Sequence, residues 1–353
     1  MRVLLVHHNP TGDVTGALSM ARSTASELEA RGHSVRLAVT PVVDVGGSAP
    51  MVGGVPSGAD AGWSADIVHL VDLVAPEGGR AARRWCSTMG CPLAVTPATD
   101  VRLWRDRAAS MEIARSAAVV FALTDEERQT LLDAAVRSER IVKIPQGPVL
   151  PGRADPEQLK QRLASTGPLV VFLSRKLETK GYRHLLAAAP QIWARHPDTM
   201  VVFAGPDADG TASARIAAVA DRRVVDLGMV DEDDKHSLLQ AADILCVPTV
   251  ADSFPLVFTE AWWCATAVVT GPFPGVGEVV RDGIDGRIVA AEPAAVAAAI
   301  IELLDDPETL ERMARAGQLR AESDLNWDRA IEAVENGYRQ AMRLCGTEVQ
   351  CRQ

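Results

Sequence analysis

The stretch RVLLVHHNPTGDVTGALSMARSTASELEARGHSVRLAVT, residues 2–40, sets two short apolar runs, RVLLV and SVRLAVT, on either side of a glycine-containing turn and a helical pattern. Continuous apolar runs of this length suit strands buried on both faces of a parallel sheet. A helix between two such strands is the crossover that a parallel pair needs. Residues 2–40 therefore predict one unit of an open α/β domain.

The pattern repeats outward. DIVHLV, PLAVTP, AVVFALT and RIVKIP continue it to about residue 150, with a Gly- and Pro-rich stretch at 41–63 that reads as a long surface loop. QGPVLPGRADPEQ reads as a linker. PLVVFLSR, MVVFAGP, RVVDLG, ADILCVPT and AVVTGP then alternate with helical segments, which predicts a second doubly wound domain. From PAAVAAAIIELL onward the chain is helical by its period. The expected division is a first domain over 1–150, a second over 151–330, and a C-terminal helix over 331–353 that crosses back to the first.

Composition bounds the partners. The chain has 353 residues, enough for two domains, and 47% apolar content, enough for a core in each. Its net charge of −10 opposes nucleic acid as a general partner. The six cysteines, Cys86, Cys91, Cys246, Cys264, Cys345 and Cys351, form no CxxC pair, so they read as reduced thiols in a cytoplasmic protein. The N-terminal apolar run is too short for a signal peptide or a membrane span.

Ligands of open parallel sheets sit at the carboxyl ends of strands, and three features stand there. Gly16 opens the first helix, where a missing side chain bares backbone N–H groups; a plain tight turn is the other reading. SRKLETKG, residues 174–181, follows a strand and carries Arg175 and Lys180, which either converge on one anion or form a solvated basic loop. ADSFPLVFTEAWW, residues 251–263, places Asp252 at a strand end and Glu260 on the second turn of the next helix. Pro255 is expected as its first helical residue and Ser253 as its cap. The two acids would flank a positive helix end that binds phosphate, and would accept hydrogen bonds from sugar hydroxyls. Trp262 and Trp263 read as packing residues, and His7, His8 and His69 as hydrogen-bonded structural ones, with His8 the candidate to face a cleft.

Taken together, these motifs resemble the retaining, nucleotide-sugar-dependent glycosyltransferases of family four, which have the GT-B fold of two facing Rossmann-like domains. Asp252 and Glu260 match the family's Glu, seven residues, Glu. SRKLETKG matches its basic signature. Thr15, Gly16 and RGHSV match its N-terminal elements, and DIVH, IPQG, AGP, LGMV, GVGEVVRDGIDGRIV and NWDRAI follow in order over essentially the whole chain.

The resemblance implies transfer of a hexose-type sugar from a nucleotide-diphosphate sugar to a hydroxyl acceptor, with retention and without metal or cofactor. It assigns catalytic work to Asp252, Arg175 and Lys180. Glu260 would bind the ribose, Asp252 the donor sugar, and Arg175 and Lys180 the diphosphate. Backbone at Gly16, Leu256 and Val257 would complete the diphosphate site, and backbone near Val230 would read the base.

The chain departs from the family in three places. VTPATD, residues 95–100, has Ala98 or Thr99 where many relatives carry histidine; aspartate stands at 252; and Pro255 replaces a common glycine. These departures also fit a silent GT-B subunit that binds a sugar nucleotide or a partner protein, and a sugar-nucleotide epimerase ranks behind both. The clusters Arg80, Arg83, Arg84 and Arg102, Arg105, Arg107 fit solvated faces, an anionic acceptor or a membrane surface, though sparse lysine and overall acidity weigh against the membrane.

Overall fold

The computed structural model describes residues 1–9, 15–40 and 63–350; the long loop expected at 41–63 lies almost wholly outside them. The chain forms two compact units, Met1–Gln146 with Trp327–Gln353, and Gly147–Asn326. These divisions fall four residues ahead of those read from the sequence.

In the first unit the elements run β1 (Arg2–His8), α1 (Gly16–Ala30), β2 (Ser34–Thr40), β3 (Ile67–Val71), α2 (Pro76–Met89), β4 (Leu93–Thr96), α3 (Arg107–Ser116), β5 (Val119–Ala122), α4 (Asp125–Asp133) and β6 (Ile141–Lys143). The strands make one parallel sheet in the order β2-β1-β3-β4-β5-β6. Leu4, Val6, Leu70, Val95, Val120 and Ile113 are buried together in its core. That burial on both faces is why the strands read as unbroken apolar runs.

The second unit runs α5 (Pro156–Leu163), β7 (Leu169–Leu173), α6 (Tyr182–Arg195), β8 (Met200–Ala204), α7 (Ala212–Ala217), β9 (Val224–Gly228), α8 (Glu232–Ala241), β10 (Ile244–Val247), α9 (Leu256–Trp263), β11 (Ala267–Thr270), α10 (Val276–Val279), β12 (Gly286–Ile288), α11 (Pro293–Asp305) and α12 (Pro307–Ser323). Its sheet order is β12-β11-β10-β7-β8-β9, all parallel. Trp262 is fully buried and donates its indole N–H to the Asp285 carbonyl at 2.7 Å, with Gly317 packed so closely that a Cβ there would lie 2.0 Å from the ring. Trp263 is 42% exposed.

The last helix, α13 (Trp327–Gln350), belongs to the first unit. A Cβ on Gly337 would lie 2.4 Å from the Phe121 ring, so glycine is what lets this helix approach β5. Tyr338 is buried there, its hydroxyl 2.7 Å from His69 Nδ1, and His69 Nε2 lies 2.8 Å from Thr96 Oγ1. Burial pushes His69 down to about 3, so the ring is a neutral packing group at any physiological pH. His7, likewise buried and shifted down by desolvation, has Nδ1 3.1 Å from the Val71 carbonyl. The RGHSV and NWDRAI segments meet across this seam. Arg31 binds the Asp328 carboxylate at 2.9 Å, and His33 Nε2 lies 2.8 Å from Glu335 Oε1.

Candidate functional site

In each sheet the chain reverses its direction of strand addition at one point, between β1 and β3 in the first unit and between β7 and β10 in the second. Such switch points open a crevice at the strand carboxyl ends, where the two following loops part to opposite faces. Of the residues read as binding the donor, Gly16 stands after β1 in the first unit and the others stand in the second.

At the second unit's switch point the loops after β7 and β10 carry SRKLETKG and ADSFP. Lys180 Nζ donates to Asp252 Oδ2 at 2.5 Å and to the Ala251 carbonyl at 3.3 Å, with both side chains largely buried. Gly181 makes this approach possible. It has φ +78°, and a Cβ would lie 2.4 Å from the Pro248 carbonyl oxygen, so any other residue would push the two loops apart. Arg175 is exposed and has no side-chain partner among the described residues.

Helix α9 begins differently from the sequence reading. Pro255 is its N-cap (φ −64°, ψ 110°) and not its first helical residue, and no side chain caps it. Ser253 takes no part in capping; its N–H donates to Asp252 Oδ1 at 3.2 Å. The ring of Pro255 fixes φ but its extended ψ places Leu256 first in the helix. Leu256 is buried and Val257 half-buried, with the Leu256 and Val257 N–H groups in the first turn, at the positive end of the helix dipole.

Glu260, on the second turn, is 6% exposed and meets a residue the sequence reading passed over. Lys235, on α8, donates to Glu260 Oε1 at 3.2 Å, to Glu232 Oε2 at 2.7 Å and to the Val149 carbonyl at 2.6 Å. Burial raises the Glu260 carboxyl above its ordinary range, and the Lys235 ammonium opposes that rise. Val230 follows β9, half-buried beside the exposed Met229.

A second overlooked cation is Lys176, inside the basic signature itself. It is fully buried and binds Asp226 Oδ1 at 2.6 Å. Burial alone would raise the Asp226 carboxyl, but the Lys176 ammonium, the Ser213 hydroxyl at 2.7 Å and the Gly228 N–H at 3.0 Å hold it below the usual range. Lys176 thus locks the loop after β7 to the end of β9, and Lys180 and Arg175 are the cations left facing the crevice. Among the described residues no cluster of acids, histidines and cysteines suits a metal ion.

In the first unit, Thr15 caps α1, its hydroxyl accepting the Leu18 N–H at 3.2 Å, and a Cβ on Gly16 would meet no described atom within 4 Å. Ala98, in the segment that lacks histidine, has φ +61°, an uncommon backbone for a residue with a side chain. The neighbouring strand ends carry Asp100, bound twice over by Arg102, and Glu127. Glu127 accepts the Leu123 N–H at 2.6 Å while Thr124 accepts the Glu127 N–H, a reciprocal capping box on α4. Burial pushes the Glu127 carboxyl up to about 7 against that hydrogen bond, and the charge of Asp100 adds to the rise. Of the arginine clusters, Arg83 lies 3.3 Å from Glu112 and Arg80 3.9 Å from Glu77.

Residues 155–320, nearly the whole second unit, match the family model described as Glycosyl transferases group 1. The second unit therefore carries a group 1 glycosyltransferase domain. The chain is 29% identical over 305 residues to the glycogen synthase of Mycobacterium tuberculosis, covering 81% of this chain and 71% of that protein. It is 36% identical over 159 residues to the phosphatidyl-myo-inositol mannosyltransferase of the same organism, covering 43% of this chain and 42% of that one. Its fold is like that of the sucrose-phosphate synthase of Thermosynechococcus elongatus (TM-score 0.79, 19% identity, 97% of this chain and 99% of that one). Anabaena HepE, solved in complex with UDP and glucose, is also similar (TM-score 0.76, 18% identity, 95% and 98%). The two six-stranded parallel sheets are those of the GT-B fold. No described helix is long and apolar enough to cross a membrane.

Proposed function

We propose that this glycosyltransferase moves a hexose-type sugar from a nucleotide-diphosphate sugar to a hydroxyl acceptor with retention of configuration, using neither metal nor cofactor. The observation that carries this reading is the Lys180–Asp252 pair at the second unit's switch point, beside the uncapped start of α9. A diphosphate there meets Lys180, Arg175 and the N–H groups of Leu256 and Val257, while Asp252 accepts from sugar hydroxyls released from their water. Glu260, one helical turn further, takes the ribose hydroxyls, and backbone near Val230 faces the base.

Charge developing on the leaving diphosphate is then stabilised by fixed cations and a helix dipole. Each charge-assisted hydrogen bond is worth about 1.5–3 kcal/mol. A leaving phosphate oxygen takes the acceptor proton, so no protein base is needed. The resemblance to proteins named a glycogen synthase and a mannosyltransferase supports reading the transferred sugar as a hexose.

Ala98 favours a second reading, in which the chain binds the donor without transferring it, because many family members carry histidine in that segment. Incubating purified protein with a nucleotide sugar and following nucleotide release separates the two. Slow hydrolysis or transfer supports an enzyme; tight donor binding with no release at any protein concentration supports the silent subunit.

A further inference from the structure

Helix α2 ends in a Schellman turn. Gly90 is left-handed (φ 66°, ψ 30°), and the Cys91 N–H reaches back to the Cys86 carbonyl at 3.2 Å. In this turn the residue three places inside the helix end and the second residue beyond it are brought side chain to side chain, usually as an apolar contact. Here both are cysteines. Both are half-buried and free. They line a cavity of about 250 Å³ together with Ser87, Arg83, Arg140 and a third cysteine, Cys345 of α13.

We propose that Cys86 and Cys91 form a redox-active dithiol that hydrogen peroxide converts to an intrachain disulfide. The polarity of the pair sets the order of steps. Pairing with Cys86 holds the Cys91 thiol below its ordinary range against burial and the Asp66 charge, while the same pairing, with burial, raises Cys86. The Cys91 thiolate attacks one peroxide oxygen; the S–O bond forms, the O–O bond breaks, and hydroxide leaves as water after taking a proton, giving a sulfenic acid. Cys86, as thiolate, attacks the Cys91 sulfur; the S–S bond forms, the S–O bond breaks, and a second water leaves. Two thiols lose two hydrogens and the peroxide is reduced to two waters. The turn already holds both residues at contact, so closure requires rotation about side-chain bonds and no unwinding of α2.

This chemistry is independent of the donor site, since Cys345 and the dithiol both lie in the first unit. The test uses the full chain, exposed to hydrogen peroxide under native conditions, alkylated and digested with trypsin. Cys86 and Cys91 fall in one peptide, residues 85–102, and Cys345 in another, residues 344–352. The proposal expects peptide 85–102 two hydrogens lighter and resistant to alkylation, reversibly with dithiothreitol, in the wild type and in Cys345→Ser. In Cys86→Ser it expects a sulfenic acid at Cys91 that a 1,3-dione traps; in Cys91→Ser it expects Cys86 to stay a thiol. Recovery of both thiols intact, a cross-link from either one to Cys345, or a disulfide that appears only in denatured chain would each overturn it.

Discussion

Replacing Lys235 with methionine isolates the Glu260 carboxylate. The substitution keeps the aliphatic stem and removes the ammonium that donates to Glu260, Glu232 and the Val149 carbonyl. Removing one partner of a buried pair costs about 3–5 kcal/mol. With the Lys235 side chain 16% exposed and that of Glu260 7% exposed, the lower end, about 3 kcal/mol, is appropriate. For a unit of this size each kcal/mol lowers Tm by about 2–4 °C, so the loss is about 6–12 °C near pH 8. The sign with pH follows from Glu260. Its folded-state carboxyl is already raised by burial, so its favourable contribution is present below its ordinary value of 4.5 and is lost as pH rises through the folded value. Without Lys235 that value rises further. Glu260 then enters the fold protonated up to a higher pH, so the loss shrinks as pH falls. Calorimetry at pH 5, 6.5 and 8, with Lys235→Arg as the charge-retaining control, reads this directly. An equal Tm drop at all three values, or none in Lys235→Met, would refute the pairing.

Asp226→Asn strands the fully buried Lys176 ammonium and is expected to cost about 3 kcal/mol at neutral pH. Because the Asp226 carboxyl is held below 3.8, its contribution is complete above that value and disappears as pH falls through the lower folded one, so wild type and variant converge in acid unfolding curves. Glu127→Gln keeps the capping box but removes a carboxyl raised to about 7. Wild type therefore loses stability relative to this variant as pH climbs from about 4.5 to 7, which thermal melts across that range check. Gly181→Ala forces a Cβ toward the Pro248 carbonyl and is expected to weaken nucleotide binding and stability together, measured by melts with and without ligand.

The fold was legible because the inner parallel strands, buried on both faces, leave unbroken apolar runs, and even the edge strands β2 and β9 keep mostly apolar ones. β12 has three residues, Gly286–Ile288, two of them only half-buried at the sheet edge, too short for any period to register. The start of α9 was misread by one residue because proline's fixed φ fits both the cap and the first helical position, and only ψ separates them. Lys176 and Lys235 were invisible for a different reason. Their partners, Asp226 and Glu260, lie 50 and 25 residues away, and only the folded sheet brings them together. The Cys86–Cys91 contact was hidden because a five-residue spacing means little until Gly90 turns left-handed between them.

The account rests on a nucleotide-sugar site built from Lys180, Asp252 and Glu260. Thermal shift of the full chain against a panel of nucleotide sugars tests it most directly, since a ligand at 100 times its Kd stabilises by about 2.7 kcal/mol. At least one donor is expected to raise Tm in the wild type. Lys180→Ala and Glu260→Ala are expected to weaken that donor about 10- to 100-fold, as loss of one charge-assisted hydrogen bond requires. Undiminished binding in both variants would contradict the site.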